Sequence, residues 1–241
     1  MSLPVLTDPR LIVGLDLPSI EAARAMVDRL GATVSFHQVG LTLRARPGGV
    51  AFAHELRAQG KQVFQDWKLH DIGAQVEGAA RSVAEGGCDL VTVHAEPQVM
   101  RGAVAGRDAA GSDTKILAVT VLTSLSDADL TDIGYSFDAA ALVERRVRQA
   151  LDCGVDGVVS SPLEAARVKQ LAQEAGRPDF LIVTPGVRPA GSDKGDQQRV
   201  ATPEDALKAG ATHLVVARPI VGVDDPVAAA LAIVESIRKI H

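Results

Sequence analysis

The sequence predicts an α/β fold of the (β/α)8 TIM-barrel class, and two patterns lead to that prediction. Short, β-branched apolar runs alternate eight times with longer, Ala-rich segments of helical spacing. The apolar runs are hydrophobic at both alternating sets of positions, which is typical of parallel strands that helices cover. Because 241 residues is a common length for such a barrel, we expect residues 1–241 to form a single barrel domain.

The eight predicted strands are rich in Val, Ile and Leu and are bounded by Gly, Pro, Ser or Asp. A doubly wound open sheet is the alternative architecture. That fold usually carries a Gly-rich fingerprint after its first strand, whereas here the first strand ends "GLDLPS". In chain order the strands are "LIVGLDL" from Leu11, "VSFHQVG" from Val34, "QVFQDWKL" from Gln62, "LVTVHA" from Leu90, "KILAVTVL" from Lys115, "GVVSS" from Gly157, "FLIVTPG" from Phe180 and "HLVVARPI" from His213.

The segments between the strands predict amphipathic helices. "SIEAARAMVDRLG", "GGVAFAHELRAQG" and "SPLEAARVKQLAQEAG" start at Ser or Gly, space their apolar residues at i, i+3 and i+4, and end in Gly. Two connections are unusually long: "TSLSDADLTDIGYSFD" after the fifth strand and "VRPAGSDKGDQQRVATP" after the seventh. Long loops that follow barrel strands lie on the C-terminal face, where barrel enzymes hold their active sites.

Composition limits the possible partners and compartments. A formal net charge of -5 argues against a broad basic surface for nucleic acid, but small anions remain possible ligands. Only Cys88 and Cys153 are present, so we expect no disulfide framework. No signal-peptide core and no apolar run of membrane-spanning length occurs, so we expect a soluble, cytoplasmic protein without a membrane partner. The six His residues show no metal-ligand spacing, so no metal site is predicted.

The third strand carries an unusual concentration of charge in "FQDWKLHDIGA". Residues two apart in a strand share a face, so Asp66 and Lys68 are predicted to point into the barrel near its C-terminal mouth. Asp71 begins the following loop. An ion pair that merely satisfies itself is one interpretation, but charge inside a barrel is costly unless it is used. The cluster therefore favours a functional site.

The segment "DWKLHDI" resembles the Asp-x-Lys-x-x-Asp-Ile signature of orotidine 5'-phosphate decarboxylases. The similarity covers nearly the whole chain, because "LIVGLDLPS", "VTVHA", "LAVTVLTS", "VTPGVRPAGSDKGDQQRVATPEDALKAGATHLVV" and "RPI" resemble the same family in the same order. The Asp-x-Lys-x-x-Asp pattern is shared with ketogulonate-phosphate decarboxylases and hexulose-phosphate synthases. The "TPGVRP" segment and the Gln after it are similar to the orotidylate branch only.

The resemblance implies a barrel enzyme that converts orotidine 5'-monophosphate to UMP without a metal or organic cofactor. It implies that Lys68 donates the proton to C6 of the pyrimidine and that Asp66 holds Lys68 beside the departing carboxylate. In this family the second Asp enters the partner subunit's site, so the resemblance also implies a homodimer with shared active sites. Asp71 and Ile72 would then act across the interface.

The resemblance assigns the remaining binding residues by position. It implies that Asp16 accepts hydrogen bonds from the ribose and that Thr123 and Ser161 contact the ribose or the pyrimidine. It implies that the loop from Arg188 to Arg199 closes over the phosphate. The phosphate-binding residues would be Arg188, Gln197 and Arg218, which follow the seventh and eighth strands, the usual phosphate-binding region of a barrel.

Three positions depart from the family pattern. Gln38 stands where a Lys of the charge network is expected, and Gln75 stands where a Thr reaches the partner site. Ala217 replaces the last phosphate-binding Gly, and its amide remains a usable donor if its φ is negative.

These three differences from the family pattern leave three interpretations of the function. One is a working orotidylate decarboxylase with an altered charge network, which we favour. The others are a diverged paralogue with another phosphorylated substrate and a non-catalytic nucleotide-binding barrel. Within the first reading, Arg44 or Arg46, which lie just after the second strand, are alternative sources of the positive charge that Gln38 lacks.

Overall fold

A closed barrel of eight parallel strands forms the centre of the molecule. The computed structural model describes residues 7–188 and 201–240. Each strand pairs with its neighbours in sequence, and β8 closes the barrel on β1 through Leu11 opposite Leu214. The predicted (β/α)8 barrel is therefore confirmed, and the open-sheet alternative is wrong. All eight predicted strands are present, and they are β1 (Leu11–Gly14), β2 (Phe36–Gly40), β3 (Gln62–Leu69), β4 (Leu90–His94), β5 (Lys115–Val119), β6 (Gly157–Val159), β7 (Leu181–Thr184) and β8 (His213–Val216).

Helices connect the strands and cover the outside of the barrel. Ser19 caps the first helix by accepting a hydrogen bond from the Ala22 amide, as its position before an apolar run predicts. A 3₁₀ turn (Gly31–Thr33) follows that helix. The helices in the described ranges are α1 (Ile20–Leu30), α2 (Leu41–Arg44), α3 (Gly49–Ala58), α4 (Gly73–Glu85), α5 (Pro97–Ala109), α6 (Asp127–Asp132), α7 (Ala139–Cys153), α8 (Ala165–Glu174), α9 (Pro203–Ala209), α10 (Arg218–Val221) and α11 (Pro226–Arg238).

Most strands are shorter than the apolar runs that predict them. β1 ends at Gly14 and β5 at Val119, although Leu15 and Val121 are buried just beyond those ends. These side chains belong to the apolar clusters between the strands and the helices. Apolar character therefore overestimates strand length, because side-chain burial continues past the last residue of each strand.

The barrel interior changes from apolar to polar along the strands. At its N-terminal end it is filled by a cluster of buried side chains from seven strands. Nearer the C-terminal end the inward positions are occupied by Gln38, Asp66 and Thr92 instead. The filled end closes the barrel, so ligands reach the polar layer from the C-terminal mouth. The apolar cluster consists of Ile12, Phe36, Phe64, Leu90, Leu117, Val183 and Val215.

One histidine is buried between the barrel and its helices. His37 alternates with the inward residues of β2, is 0% exposed, and has no hydrogen-bond partner for either ring nitrogen among the described residues. Burial, with a smaller contribution from the Lys61 charge, lowers the pKa of His37 to about 3. The folded protein therefore holds this ring neutral, whereas the unfolded chain protonates it below about pH 6.5.

We predict that replacing this histidine, His37→Leu, makes the protein less sensitive to acid. A lowered pKa in the folded state stabilises the fold above the unfolded pKa, and that stabilisation is lost as the pH falls from about 6.5 towards 3. Between pH 7 and pH 5 the native protein should lose about 2 kcal/mol of unfolding free energy through this group, and the variant should not. Urea denaturation at both pH values measures the difference. His54→Leu, at an exposed position, is the control, and parallel pH curves for His37→Leu and the native protein would contradict the assignment.

Candidate active site

Asp66 and Lys68 form an ion pair inside the mouth of the barrel. Both lie on β3, two residues apart, and the Lys68 Nζ lies 2.7 Å from the Asp66 Oδ2. The Asp66 side chain is 13% exposed and that of Lys68 is 36% exposed. The carboxylate is therefore largely enclosed, while the ammonium still reaches the open mouth.

Asp66 is held from three strands. Its Oδ2 also accepts a 2.5 Å hydrogen bond from the Gln38 amide on β2, and its Oδ1 accepts a 2.7 Å bond from the Thr92 hydroxyl on β4. Thr92 in turn accepts the backbone N–H of Lys68 at 2.9 Å. Charge-assisted bonds of this kind offset the cost of enclosing a carboxylate. The group is thus fixed in place before any ligand binds.

Gln38 fits tightly between Gly14 of β1 and Asp66 of β3. Its side chain is 9% exposed. A Cβ added at Gly14 would lie 2.8 Å from the Gln38 Oε1 and 2.9 Å from the Ala217 Cβ. Gly14 therefore makes room for Gln38, and the neutral amide occupies the position where the family resemblance leads us to expect a cation.

Asp16 lies at the rim, just beyond the end of β1. Its Oδ1 faces Gly40, where an added Cβ would lie 3.4 Å away. Partial desolvation raises the pKa of Asp16, and the negative charge of Asp66 raises it further, while Lys68 and Arg218 oppose that rise. Asp16 therefore shares one electrostatic environment with the ion pair and with the cation that follows β8.

The end of β8 carries Ala217 and Arg218. Ala217 has a φ of -112°, so an Ala fits without strain where the family pattern has a Gly. The short helix α10 begins at Arg218, which is exposed at the mouth. Arg218 also lowers the pKa of Asp16, so its charge acts on the end of the neighbouring strand β1.

Arg188 follows β7 and is half-buried. Its backbone N–H donates to the Ala201 carbonyl at 3.0 Å, and its guanidinium donates to the Val187 carbonyl at 3.0 Å. Gln197 and most of the loop from Arg188 to Arg199 lie outside the described residues. Arg188 and Arg218 thus follow neighbouring strands at the same end of the barrel.

Thr123 and Ser161 follow β5 and β6 on the same face. Both are buried, Thr123 at 8% and Ser161 at 1% exposure. The Ser161 Oγ accepts the Leu163 amide at 3.1 Å, which fixes the turn after β6. Both hydroxyls therefore belong to the rim opposite Gln38 and Asp66.

Asp71, Ile72 and Gln75 are not part of the ion-pair cluster within one chain. Asp71 is exposed and accepts the Ile72 amide at 2.7 Å. Ile72 is 61% exposed, and Gln75 is exposed in the first turn of α4. In the described ranges no ion pair joins Asp71 to Lys68. These three side chains are presented outward, beside the mouth of their own barrel.

Thr92 is the site residue that sequence reasoning missed. The signal was available in "VTVHA", because Thr92 is two residues before His94 and both have the inward parity of β4. The sequence gives no metal-ligand spacing for His70 and His94, and the structure stacks their rings, with centroids 4.6 Å apart and an interplanar angle of 28°.

This arrangement is suited to binding a small anion and moving a proton. An ammonium beside a fixed carboxylate stabilises negative charge on a ligand and supplies a proton to it. Across residues 7–188 and 201–240, no three His, Cys, Asp or Glu side chains come together in a metal-binding arrangement. Every helix in the same ranges is too short or too polar to span a bilayer.

Comparison with known proteins agrees with this geometry. A family model described as "Orotidine 5'-phosphate decarboxylase / HUMPS family" matches residues 9–233. The chain belongs to this family. The orotidine 5'-phosphate decarboxylase of Caulobacter vibrioides is 64% identical over 94% of this chain and 96% of the relative. That of Methylobacterium radiotolerans is 52% identical over 95% of this chain and 97% of the relative.

Solved structures show the same family barrel. The crystal structure of orotidine 5'-phosphate decarboxylase from Lactobacillus acidophilus has a TM-score of 0.80 at 35% identity. The match covers 95% of this chain and 99% of the solved chain. A conserved protein from Geobacillus kaustophilus, described as uncharacterized, has a TM-score of 0.79 at 31% identity, covering 94% of this chain and 99% of that one.

We predict that Thr92→Val destabilises the protein, because it leaves the Lys68 N–H and the Asp66 Oδ1 without their shared partner. An unsatisfied buried donor costs about 1–3 kcal/mol. Thr184→Val is the matched control, since Thr184 is 0% exposed and its hydroxyl has no hydrogen-bond partner among the described residues. Urea denaturation should show a loss for Thr92→Val and none for Thr184→Val. Equal stabilities of the two variants would remove Thr92 from the structural support of the pair.

Proposed function

We propose that this chain removes CO2 from orotidine 5'-monophosphate to form UMP in pyrimidine biosynthesis, with Lys68 protonating C6. The observation that carries the proposal is the Lys68–Asp66 pair at 2.7 Å in the barrel mouth. The 64% identity to a decarboxylase over nearly the full length of both chains supports the same substrate. No metal or organic cofactor enters the proposed reaction.

The proposed reaction is balanced by a single proton from Lys68. The bond between C6 and the carboxylate carbon breaks, CO2 leaves, and the electron pair remains on C6 of the pyrimidine. The Lys68 ammonium stabilises this developing charge and then transfers its proton to C6. Solvent restores the proton on Lys68 after UMP leaves, because the Lys68 side chain is 36% exposed at the mouth.

Asp66 has two proposed tasks. It holds the Lys68 ammonium in position, and it lies where the substrate carboxylate would approach. Its three bonds keep it from turning away as the substrate enters. Asp16 at the rim would accept hydrogen bonds from the ribose, and Thr123 and Ser161 would contact the ribose or pyrimidine from the opposite rim.

The phosphate would bind after β7 and β8. Arg188 and Arg218 follow these two strands, and Gln197 lies in the connection between them. The Ala217 amide would add a neutral donor. Barrel enzymes commonly bind phosphate in this region. Closure of the loop from Arg188 to Arg199 over the phosphate would use remote binding energy to lower the barrier at C6.

We further propose a cytoplasmic homodimer that shares its active sites. Asp71 is exposed beside the mouth, and Ile72 and Leu41 expose 61% and 63% of their surface on the same side. An exposed apolar surface beside an exposed carboxylate suits contact with a second copy. In that dimer Asp71 and Ile72 would enter the partner's site, and Gln75 would lie at its edge.

Two other functions fit parts of the site. The residue types at Gln38 and Gly73 are more similar to the ketogulonate-phosphate branch of the superfamily. Membership of that branch would mean another phosphorylated substrate. A non-catalytic barrel that binds nucleotides is the other alternative. The phosphate-side residues and the sequence relatives favour orotidine 5'-monophosphate.

We predict that the native protein converts orotidine 5'-monophosphate to UMP. Lys68→Ala should lower the rate of this conversion by about 10²–10⁴-fold, the usual contribution of a positioned proton donor. The assay follows substrate absorbance and CO2 release. Lys115→Ala, at an exposed position on the opposite end of the barrel, is the control and should match the native rate. UMP binding without turnover would indicate the nucleotide-binding barrel, and neither binding nor turnover would indicate the paralogue.

We predict that inactive Lys68→Ala and Asp71→Ala proteins regain activity when they are mixed. In a shared-site dimer, one of the two sites in each mixed dimer contains both native residues. Fully random exchange should therefore yield native sites at about a quarter of the total, because half the dimers are mixed and each holds one native site. Differently tagged subunits verify exchange by co-purification. Demonstrated exchange without recovered turnover would show that Asp71 does not act across the interface.

We predict that Gln38→Lys raises kcat/KM for orotidine 5'-monophosphate, by roughly tenfold, which corresponds to about 1.4 kcal/mol. The native site has one cation fewer than the family pattern, so it repels an anionic substrate more strongly. Gln38→Met, which removes the amide bond to Asp66 without adding charge, should instead lower the rate.

Arg44 provides the test of the opposing explanation. Its guanidinium lies 4.1 Å from the centre of the Trp67 ring, on the outward side of β3. If Arg44 already supplied the missing charge, Arg44→Ala would be nearly inactive and Gln38→Lys would be no faster than the native protein. The activity of Arg46→Ala is measured in the same assay, and a nearly inactive Arg46→Ala would assign the missing charge to Arg46 instead.

A further inference from the structure

Lys68 has a strained backbone. Its φ of 48° is the one positive value at a non-Gly position in the described ranges. Such a conformation costs about 1–3 kcal/mol and persists only when the surroundings hold it. The regular pairing of β3 with β4 is also interrupted between Gln65 and Leu69, so part of this segment lacks ladder hydrogen bonds.

Ring stacking continues the pairing of β3 and β4 beyond the interruption. The ladder resumes with Leu69 opposite Val93. One step further, His70 stacks on His94 with ring centroids 4.6 Å apart. The stack lies two residues after Lys68. Thr92 accepts the Lys68 N–H, and His94 contacts His70, so β4 holds the chain at the strained residue and just after it.

Polar side chains lie between the stack and α7. The His70 Nε2 lies 3.6 Å from the Glu96 Oε2, and the Glu96 Oε1 lies 3.4 Å from an Arg146 nitrogen. The Arg146 side chain is only 14% exposed. It also donates to the Thr120 carbonyl and to the Tyr135 hydroxyl, the latter at 2.8 Å. Glu96 and Arg146 thus lie between the turn after β3 and α7.

The electrostatic surroundings keep the inner ring neutral. Burial lowers the pKa of His94, and the neighbouring His70, Arg146 and Lys68 lower it further, while Glu96 opposes them. Two protonated rings in contact would repel each other, so a neutral His94 preserves the stack. The network therefore supports Lys68 without adding a second cation beside it.

We propose that the His70–His94 stack is a positioning element that holds the strained Lys68 backbone so that its ammonium stays on Asp66. This inference rests on the proposed role of Lys68 as proton donor. The rings hold the chain by contact and need no proton transfer of their own. The proposed binding residues are Asp16, Thr123, Ser161 and the phosphate-side residues, which are not part of the stack. Loss of the stack should therefore affect the chemical step and leave ligand affinity unchanged.

The test compares His70→Ala with His70→Phe. The His70 side chain is 56% exposed, so neither change should prevent folding. His70→Ala should lower kcat by roughly 10- to 100-fold, the effect of a displacement of about 1 Å at a reacting group. Its dissociation constant for UMP should remain within about twofold of the native value, since the binding groups are elsewhere. His70→Phe keeps a stacking ring and should recover most of kcat.

A second readout does not need turnover. In protein labelled with nitrogen-15 lysine, the Lys68 ammonium signal is identified by its absence from Lys68→Ala. It should shift and exchange faster with water in His70→Ala, and it should stay near its native position in His70→Phe. Failure of the native protein to turn over substrate would count against the proposed function, whereas the ammonium signal still decides the positioning role.

The possible results separate positioning from other roles. A stack needed only for stability would lower the melting temperature of His70→Ala and leave kcat and the Lys68 signal unchanged, which would overturn the proposal. A His70 that acts as an acid or base would make His70→Phe as slow as His70→Ala, which would also overturn it. Loss of kcat and of the native Lys68 signal in the Ala variant, with both restored by Phe, supports it.

Discussion

The Asp66 carboxylate is enclosed inside a barrel, and much of the surrounding structure follows from the need to satisfy it. An uncompensated charge in such a place would cost several kcal/mol. One ammonium, one amide and one hydroxyl meet it, and they come from β2, β3 and β4. The barrel brings these strands together in a fixed register, so the charge is stable only in the closed fold. The Asp66–Lys68 pair and the architecture therefore depend on each other.

The close fit around that carboxylate extends to residues with no charge. Gly14 has no side chain because Gln38 and Ala217 occupy the space beside it. Gln38 in turn reaches Asp66 because β2 and β3 are neighbouring strands, with Gly40 opposite Asp66. A neutral amide at this point leaves Lys68 as the cation that contacts Asp66 in the described structure. The cationic residues after β7 and β8 lie on another side of the mouth, where the phosphate would bind.

Strain at Lys68 connects the site to the outer helices. A positive φ places the Lys side chain at the mouth while the strand still continues to Leu69. Contacts that reach α7 through Glu96 and Arg146 hold the next turn. Lys68 is thus supported by neighbouring strands on one side and remains open to the mouth on the other. Such preorganisation lets an ammonium stabilise charge without reorganising during the reaction.

The sequence by itself determined the fold class, the order of the eight strands and the inward direction of Asp66 and Lys68. These features follow from local periods, two residues in a strand and 3.6 in a helix, which are visible in any short window. Family resemblance predicted which residues lie at the barrel mouth. One of them, Gln197, lies outside the described residues. Only the tertiary structure decided that Thr92 bridges Asp66 and Lys68, that Lys68 has a positive φ, and that Arg146 anchors a histidine stack. Those contacts join residues 24 to 50 positions apart, and the shared register of neighbouring strands, which no local pattern encodes, sets their geometry.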